Sequence, residues 1–373
     1  MKSKIYNANF VYFISMILFV LVRILAQVGA LSFMGDYANF VINLIIQVGI
    51  VLLLPLFLFS ILNKQKVGKT LLDCSYNKIG AKEIFAAIGL GFVVYFLNIF
   101  ITLFFNFILS LCGYSVVSSS TSTSAPTIGS LFLSLFLTAV LPAFCEEFLH
   151  RGLLLSAYKE LGFKKAVMYS SLLFGLLHLN IDQFFFATFA GAVLATATLF
   201  SRSIFPAMII HFINNGINVY LSYASAKGLP SYKFWSSILS TVFGGNIITT
   251  FIMVLIIVPL LIFLLVYLLK ILLKTNTQKS IGGFVNKLTI TEMRREALGD
   301  IANESLSNSE RNFLDMINGK IPYAPTKLEI PYEILGFYMA PVKKQTWLEK
   351  SFLIASLILG SVITLFTFIW GIL

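Results

Sequence analysis

Charge is what this sequence has least of: Asp, Glu, Lys and Arg together make up 12% of its 373 residues. A soluble globular chain carries about 25%, so a water-soluble domain is excluded as the main body of the protein. Cysteine is nearly absent too. Cys74, Cys112 and Cys145 are scattered and odd in number, which argues against a disulfide framework or a cysteine metal site and leaves them as small buried hydrophobes. Histidine is equally rare, with His150, His178 and His211 the whole complement. No internal repeat is visible. The net charge of +11 does not point to nucleic acid as a partner, because the basic residues sit in short loops rather than in one stripe.

What is present is apolar length. Hydrophobic residues make up 58% of the chain, and about 20 in a row suffice to cross a bilayer as a helix. Nine runs qualify as spans, near 10–33, 38–62, 84–112, 128–156, 165–180, 184–200, 204–223, 246–272 and 351–373, the fifth and sixth being short. The expected fold class is therefore all-α, a polytopic transmembrane helical bundle of about nine spans in contact with the lipid bilayer. With the N-terminus inside, Lys2, Lys4, Lys64, Lys66, Lys69, Lys78, Lys82, Arg151, Lys159, Lys164, Lys165, Arg202 and Lys270 fall on or near the inner side, against Lys227 and Lys233 outside. That bias sets the orientation and puts the C-terminus outside. The first span reads as a retained anchor rather than a cleaved signal, being long and interrupted by Arg23, which snorkels or pairs within the bundle. The Lys-rich loops and the lack of targeting signals suggest a bacterial plasma membrane.

The chain divides into an N-terminal pair of spans with a loop (1–80), a core (81–225), an additional span (226–273), a polar insert (274–349) and a last span (350–373). The insert holds nine of the sixteen acidic residues. Within it TITEMRREALGDIANESL reads as a polar helix, and SNSERNFLDMINGK as another, opened by Ser307 with Glu310 and closed by Gly319. It is a small helical cytosolic element, a linker or a docking module for a partner. Residues 114–127, YSVVSSSTSTSAPT, read as an exposed loop. Ala187, Gly191 and Ala195, four apart, predict close helix packing.

Seven acidic residues lie outside the insert, and of these only Glu146 and Glu147 fall well inside a span. From a helix end near residue 155, Glu146 lies about 14 Å deep at 1.5 Å per residue. A charge at that depth costs several kcal/mol and is normally paired, neutralised or functional. Residues four apart share a helix face, so Glu147 meets Arg151 as an ion pair while Glu146 shares a face with His150. The two glutamates point about 100° apart. Glu146 has no cationic partner on its face unless His150 is protonated, which leaves it available as a general base or acid. His178 ends FGLLH in the fifth run. His211 lies in HFINN in the seventh, with Asn215 one turn on. Two histidines on neighbouring helices, beside a buried glutamate and an asparagine, describe either water activation with oxyanion stabilisation or a three-ligand zinc site. No HExxH is present, and the residues alone do not choose.

Glu146-Glu147-x-x-x-Arg151, then Phe174-x-x-x-His178, then His211-x-x-x-Asn215, resembles the three motifs of the CPBP family, the CAAX-processing type II proteases and bacteriocin-processing (Abi) proteins. The resemblance covers roughly residues 80 to 225 and implies an intramembrane endopeptidase. In members that mature CAAX proteins, cleavage falls just after a prenylated cysteine. By resemblance Glu146 activates water with His178, His211 and Asn215 steady the oxyanion, and Glu147 and Arg151 serve architecture or orientation. His150 lies outside the pattern, as an incidental residue or a tuner of Glu146. The family has long been labelled metalloprotease. A metal-free mechanism without cofactor is expected here, and the alternative is Zn held by Glu146, His178 and His211. The implied substrate is a membrane-embedded peptide or protein, a peptide precursor fitting a bacterial membrane better than a prenylated one. The family also includes relatives regarded as bacteriocin-immunity or regulatory scaffold proteins, which is the alternative function. A proton-relaying transporter ranks last, for lack of an inverted repeat.

Overall fold

The structure is a computed structural model that describes residues 3–115, 126–244, 247–298 and 343–372. Every regular element among them is helical. In chain order they are α1 (Lys4–Gln27), α2 (Ala38–Leu62), the short α3 (Val67–Asp73), α4 (Ala81–Leu111), α5 (Ile128–Leu161), α6 (Phe163–Leu177), α7 (Ile181–Ser201), α8 (Phe205–Ala226), α9 (Pro230–Phe243), α10 (Ile247–Leu298) and α11 (Trp347–Trp370). Polar residues start the helices by taking up orphan amides. Ser3 Oγ accepts from the Tyr6 amide, Asn180 Oδ1 from that of Asp182, and Thr346 and Glu349 cap each other's ends at α11.

Seven of the described helices contain a stretch long and apolar enough to cross a membrane: α1, α2, α4, α5, α7, α10 (over Thr250–Thr277) and α11. The other two expected spans are also helices, but α6 has only 15 residues and α8 carries HFINN. The loops sort by end. At the end carrying Lys4, Asp73 is bound by Lys4 (3.2 Å) and Lys69 (2.8 Å), and Lys159 Nζ donates to Ser75 Oγ (3.0 Å). Ser203 Oγ donates there to the Asn77 carbonyl (2.6 Å). At the opposite end Tyr114 Oη donates to Asp182 Oδ2 (2.8 Å), and the Ser115 amide to the Gly371 carbonyl (2.9 Å). The α6–α7 hairpin thus runs the length of the bundle and back.

Two apolar cores flank this hairpin. One joins α1, α2, α5 and α6 through Tyr12, Phe59, Phe148, Leu155 and Leu173. The other joins α4, α7, α8 and α10 through Leu90, Leu194, Ala207, Ile210 and Leu272, with Phe174 of α6 included. The small-residue seam forms as expected. Ala187, Gly191 and Ala195 are buried, and a Cβ on Gly191 would lie 3.1 Å from Ser171 Cα.

Several expectations need revision. α5 runs to Leu161, so Glu146 lies about 22 Å along the helix from that end, not 14. TITEMRREAL is not a separate helix but the end of the 52-residue α10, whose length of about 78 Å exceeds any bilayer. Lys279 on α10 pairs with the buried Glu83 at the start of α4. The region 226–273 contains α9 as well as the start of α10. SNSERNFLDMINGK and most of the Ser/Thr-rich loop lie outside the described residues. Arg23 sits with its guanidinium 5.3 Å from the Phe19 ring centroid.

Candidate active site

α5 is not a uniform α-helix. It is π-helical over Phe136–Val140 and Phe148–Leu154, as α2 is over Ile45–Leu53. Such stretches add a residue per turn, re-aim side chains, and are frequent at functional sites. Here they bracket the two glutamates and carry His150, Arg151 and Gln47.

Glu147 and Arg151 form the expected pair, with both side chains fully buried and Arg151 Nη1 donating to Glu147 Oε1 at 3.0 Å. Further contacts add to the compensation, while Glu147 Oε2 and Arg151 Nε stay buried without a hydrogen-bond partner. Arg151 Nη2 donates to the Gly191 carbonyl at 2.9 Å, and its guanidinium lies 4.5 Å from the Phe174 ring centroid. Glu147 Oε1 also accepts from His211 Nδ1 at 2.8 Å. The carboxylate of Glu147 thereby ties α5 to α8, and Arg151 ties α5 to α7. Removing one partner of such a buried pair strands the other charge, at about 3–5 kcal/mol.

Glu146 points elsewhere. Its Oε1 accepts from Gln47 Nε2 of α2 at 2.8 Å. Its charge reaches Tyr12, Arg23 and His178 electrostatically. His150 does not meet its carboxylate, because the ring turns back so that Nδ1 bonds the Glu146 main-chain carbonyl at 2.8 Å. His150 is fully buried between the Tyr12 and Phe174 rings, with Nε2 unpartnered.

His178 closes α6, and its Nδ1 bonds the Phe174 carbonyl at 2.9 Å. A carbonyl or carboxylate oxygen only accepts, so Nδ1 carries the proton in all three imidazoles. For neutral rings, Nε2 of His178 and His211 is then an acceptor. These two residues, with Phe174, Val94, Asn214 and Asn215, line one cavity of ≈30 Å³, room enough for a water given a threshold of about 10–15 Å³. Glu146 is not in that lining. Phe174 is the hub, its ring centroid 5.0, 5.2 and 5.6 Å from His150, His178 and His211.

Asn215 Nδ2 donates to the Thr138 carbonyl at 3.0 Å, inside the π-helical stretch of α5. Sequence reasoning missed its neighbours, Asn214 and Asn98, which join at 3.0 Å. It also missed Gln47 and Tyr12, uncharged residues far away in the chain. Elsewhere, α4, α5 and α8 border an almost wholly apolar groove of ≈580 Å³, lined by Ile88, Phe92, Ala143, Phe144, Ile209 and Ile213 among others.

Among the described residues, no three His, Cys, Asp or Glu side chains group as metal ligands. Glu146, His178 and His211 are not such a group; the Nδ1 of His211 serves Glu147, and Glu146 accepts from Gln47.

Residues 127–217 match the family model for type II CAAX prenyl endopeptidases, Rce1-like. No curated protein and no solved structure matches the chain. All three motifs fall inside the matched residues, whereas Tyr12, Gln47 and Asn98 fall outside them.

Proposed function

We propose, from the premise that residues 127–217 form a Rce1-like type II CAAX prenyl endopeptidase domain in a multi-pass membrane protein, that this chain hydrolyses a peptide bond of a membrane-associated peptide or small protein, with Glu146 as the base. The observation that carries the reading is the convergence of His178 and His211, from separate helices, on one water-sized cavity within electrostatic reach of Glu146.

In the proposed reaction a water held by His178 Nε2 gives its proton to Glu146 as its oxygen bonds the scissile carbonyl carbon. The oxyanion receives a hydrogen bond from the second amide hydrogen of Asn215, the first being taken by Thr138. Such donors contribute about 2.7–4 kcal/mol each in hydrolases. His211, oriented by its Nδ1 bond to Glu147, lines the same cavity. As the C–N bond breaks, Glu146 returns its proton to the leaving amine. Glu147 and Arg151 hold His211 and the helices in register. The apolar groove beside α5 suits a substrate with a hydrophobic segment. Inhibition by chelators together with stoichiometric zinc in the purified protein would overturn the metal-free form of this scheme.

The direct test compares membrane peptidomes of cells carrying the wild type, Glu146→Gln and His178→Ala. Loss of the same processed peptides in both variants, with normal insertion, is the expected result. Full biological effect from Glu146→Gln would favour the scaffold reading instead.

A further inference from the structure

Gln47 is the one strongly polar side chain in IIQVGIVLLL. It is 7% exposed and sits in the π-helical part of α2. Its Nε2 donates to Glu146 Oε1 at 2.8 Å, while its own Oε1 is buried without a hydrogen-bond partner. A carboxylate only accepts, so the nitrogen must face Glu146. A buried glutamine kept merely for packing would be expected to satisfy its oxygen as well, since an unpaired buried acceptor costs about 1–3 kcal/mol. This one leaves the oxygen open beside a carboxylate.

We infer that Gln47 is a positioning residue for Glu146, supplied by a helix outside the matched domain. Its amide nitrogen fixes the carboxylate's rotamer, and its amide oxygen offers the water to be activated a second acceptor. The N-terminal pair of spans is then part of the catalytic apparatus rather than an anchor alone. This rests on the assignment of Glu146 as the base.

The test uses the full chain in phosphatidylcholine vesicles, an internally quenched peptide spanning a junction found in the peptidome comparison as the probe, and variants of nearly equal size. Gln47→Met keeps the volume and loses the donor. Gln47→Glu keeps the shape and sets a second carboxyl against the first, the two sharing one proton, so that Glu146 is no longer a free carboxylate. Gln47→His retains an N–H. The expected order of kcat is wild type, then Gln47→His, Gln47→Met and Gln47→Glu, with Gln47→Met down roughly 10- to 100-fold, as for a misplaced reacting group, and KM nearly unchanged. A packing role alone predicts no penalty for Gln47→Met, which keeps the volume. Infrared difference spectra provide an arm that needs no cleavage. The carboxylate stretch of Glu146, identified as the band lost in Glu146→Gln, shifts in Gln47→Met. An unmoved band, or kcat that ignores donor capacity, overturns the inference. Cleavage surviving Glu146→Gln would instead sink the assignment of the base, whatever the band does.

Discussion

Glu146 and Glu147 are neighbours in the chain and belong to two different regions of the molecule. The Glu147 region is closed: one carboxylate oxygen serves a guanidinium and an imidazole, both charged partners of the pair are fully buried, and all of its partners lie within the matched domain. The Glu146 region is open: a half-buried carboxylate takes one neutral donor, from α2. The difference teaches that two identical side chains in one motif can divide the work, one organising helices and the other left available for chemistry.

The sharpest way to break this comparison is to neutralise each glutamate in turn. Glu146→Gln is expected to lower processing by about 10²–10⁴-fold, the usual worth of a general base, with little change in thermal stability. Glu147→Ala should instead destabilise the protein by about 3–5 kcal/mol through the stranded Arg151, seen as a lower melting temperature in detergent. Equal destabilisation by both variants would erase the division.

A smaller effect is expected at the seam on which the closed region leans. A Cβ on Gly191 would meet Ser171 Cα at 3.1 Å and Phe174 Cδ1 at 3.2 Å. Gly191→Ala should therefore cost about 1–3 kcal/mol as overpacking and push α7 away from α6, disturbing the Gly191 carbonyl that holds Arg151. Thermal melts of Gly191→Ala beside Glu147→Ala, alone and combined, would reveal non-additivity if the two act on one network.

The smallest effect belongs to the loops at the Lys4 end, away from both glutamates. Burial alone would raise the Asp73 carboxyl, but hydrogen bonds from Lys69 and Lys4 outweigh it and hold the group below its ordinary value of 3.8. A lowered folded-state value means that its stabilisation is present above 3.8 and is lost as pH falls through the folded value. Melts of the wild type should lose slightly more stability on acidification than those of Asp73→Asn. Coincident curves would show that the contact contributes nothing, as many exposed pairs do.

Much of this was legible in the sequence. Apolar length gave the helical class, and four-residue spacing gave the Glu147–Arg151 pair, because both depend on neighbours along one helix. The spacing 187, 191, 195 gave the seam for the same reason. What stayed hidden depends on other helices or on departures from 3.6 residues per turn. Nothing near Gln47 or Asn98 in the chain marks their partners. The π-helical turns are invisible to an ideal helical projection, which is why His150 was aligned with the Glu146 carboxylate and in fact reaches its carbonyl. The junction between the tenth helix and the insert was misplaced because charge begins at Lys270 while the helix continues to Leu298.

The irregular backbone of α5 over Phe136–Val140 reaches across to α8. The Thr138 carbonyl lies inside it and holds the Asn215 side chain, so a wider turn in one helix seats an amide on another. A change that returned this stretch to ordinary helical pitch would move that carbonyl and release the amide from the cavity wall.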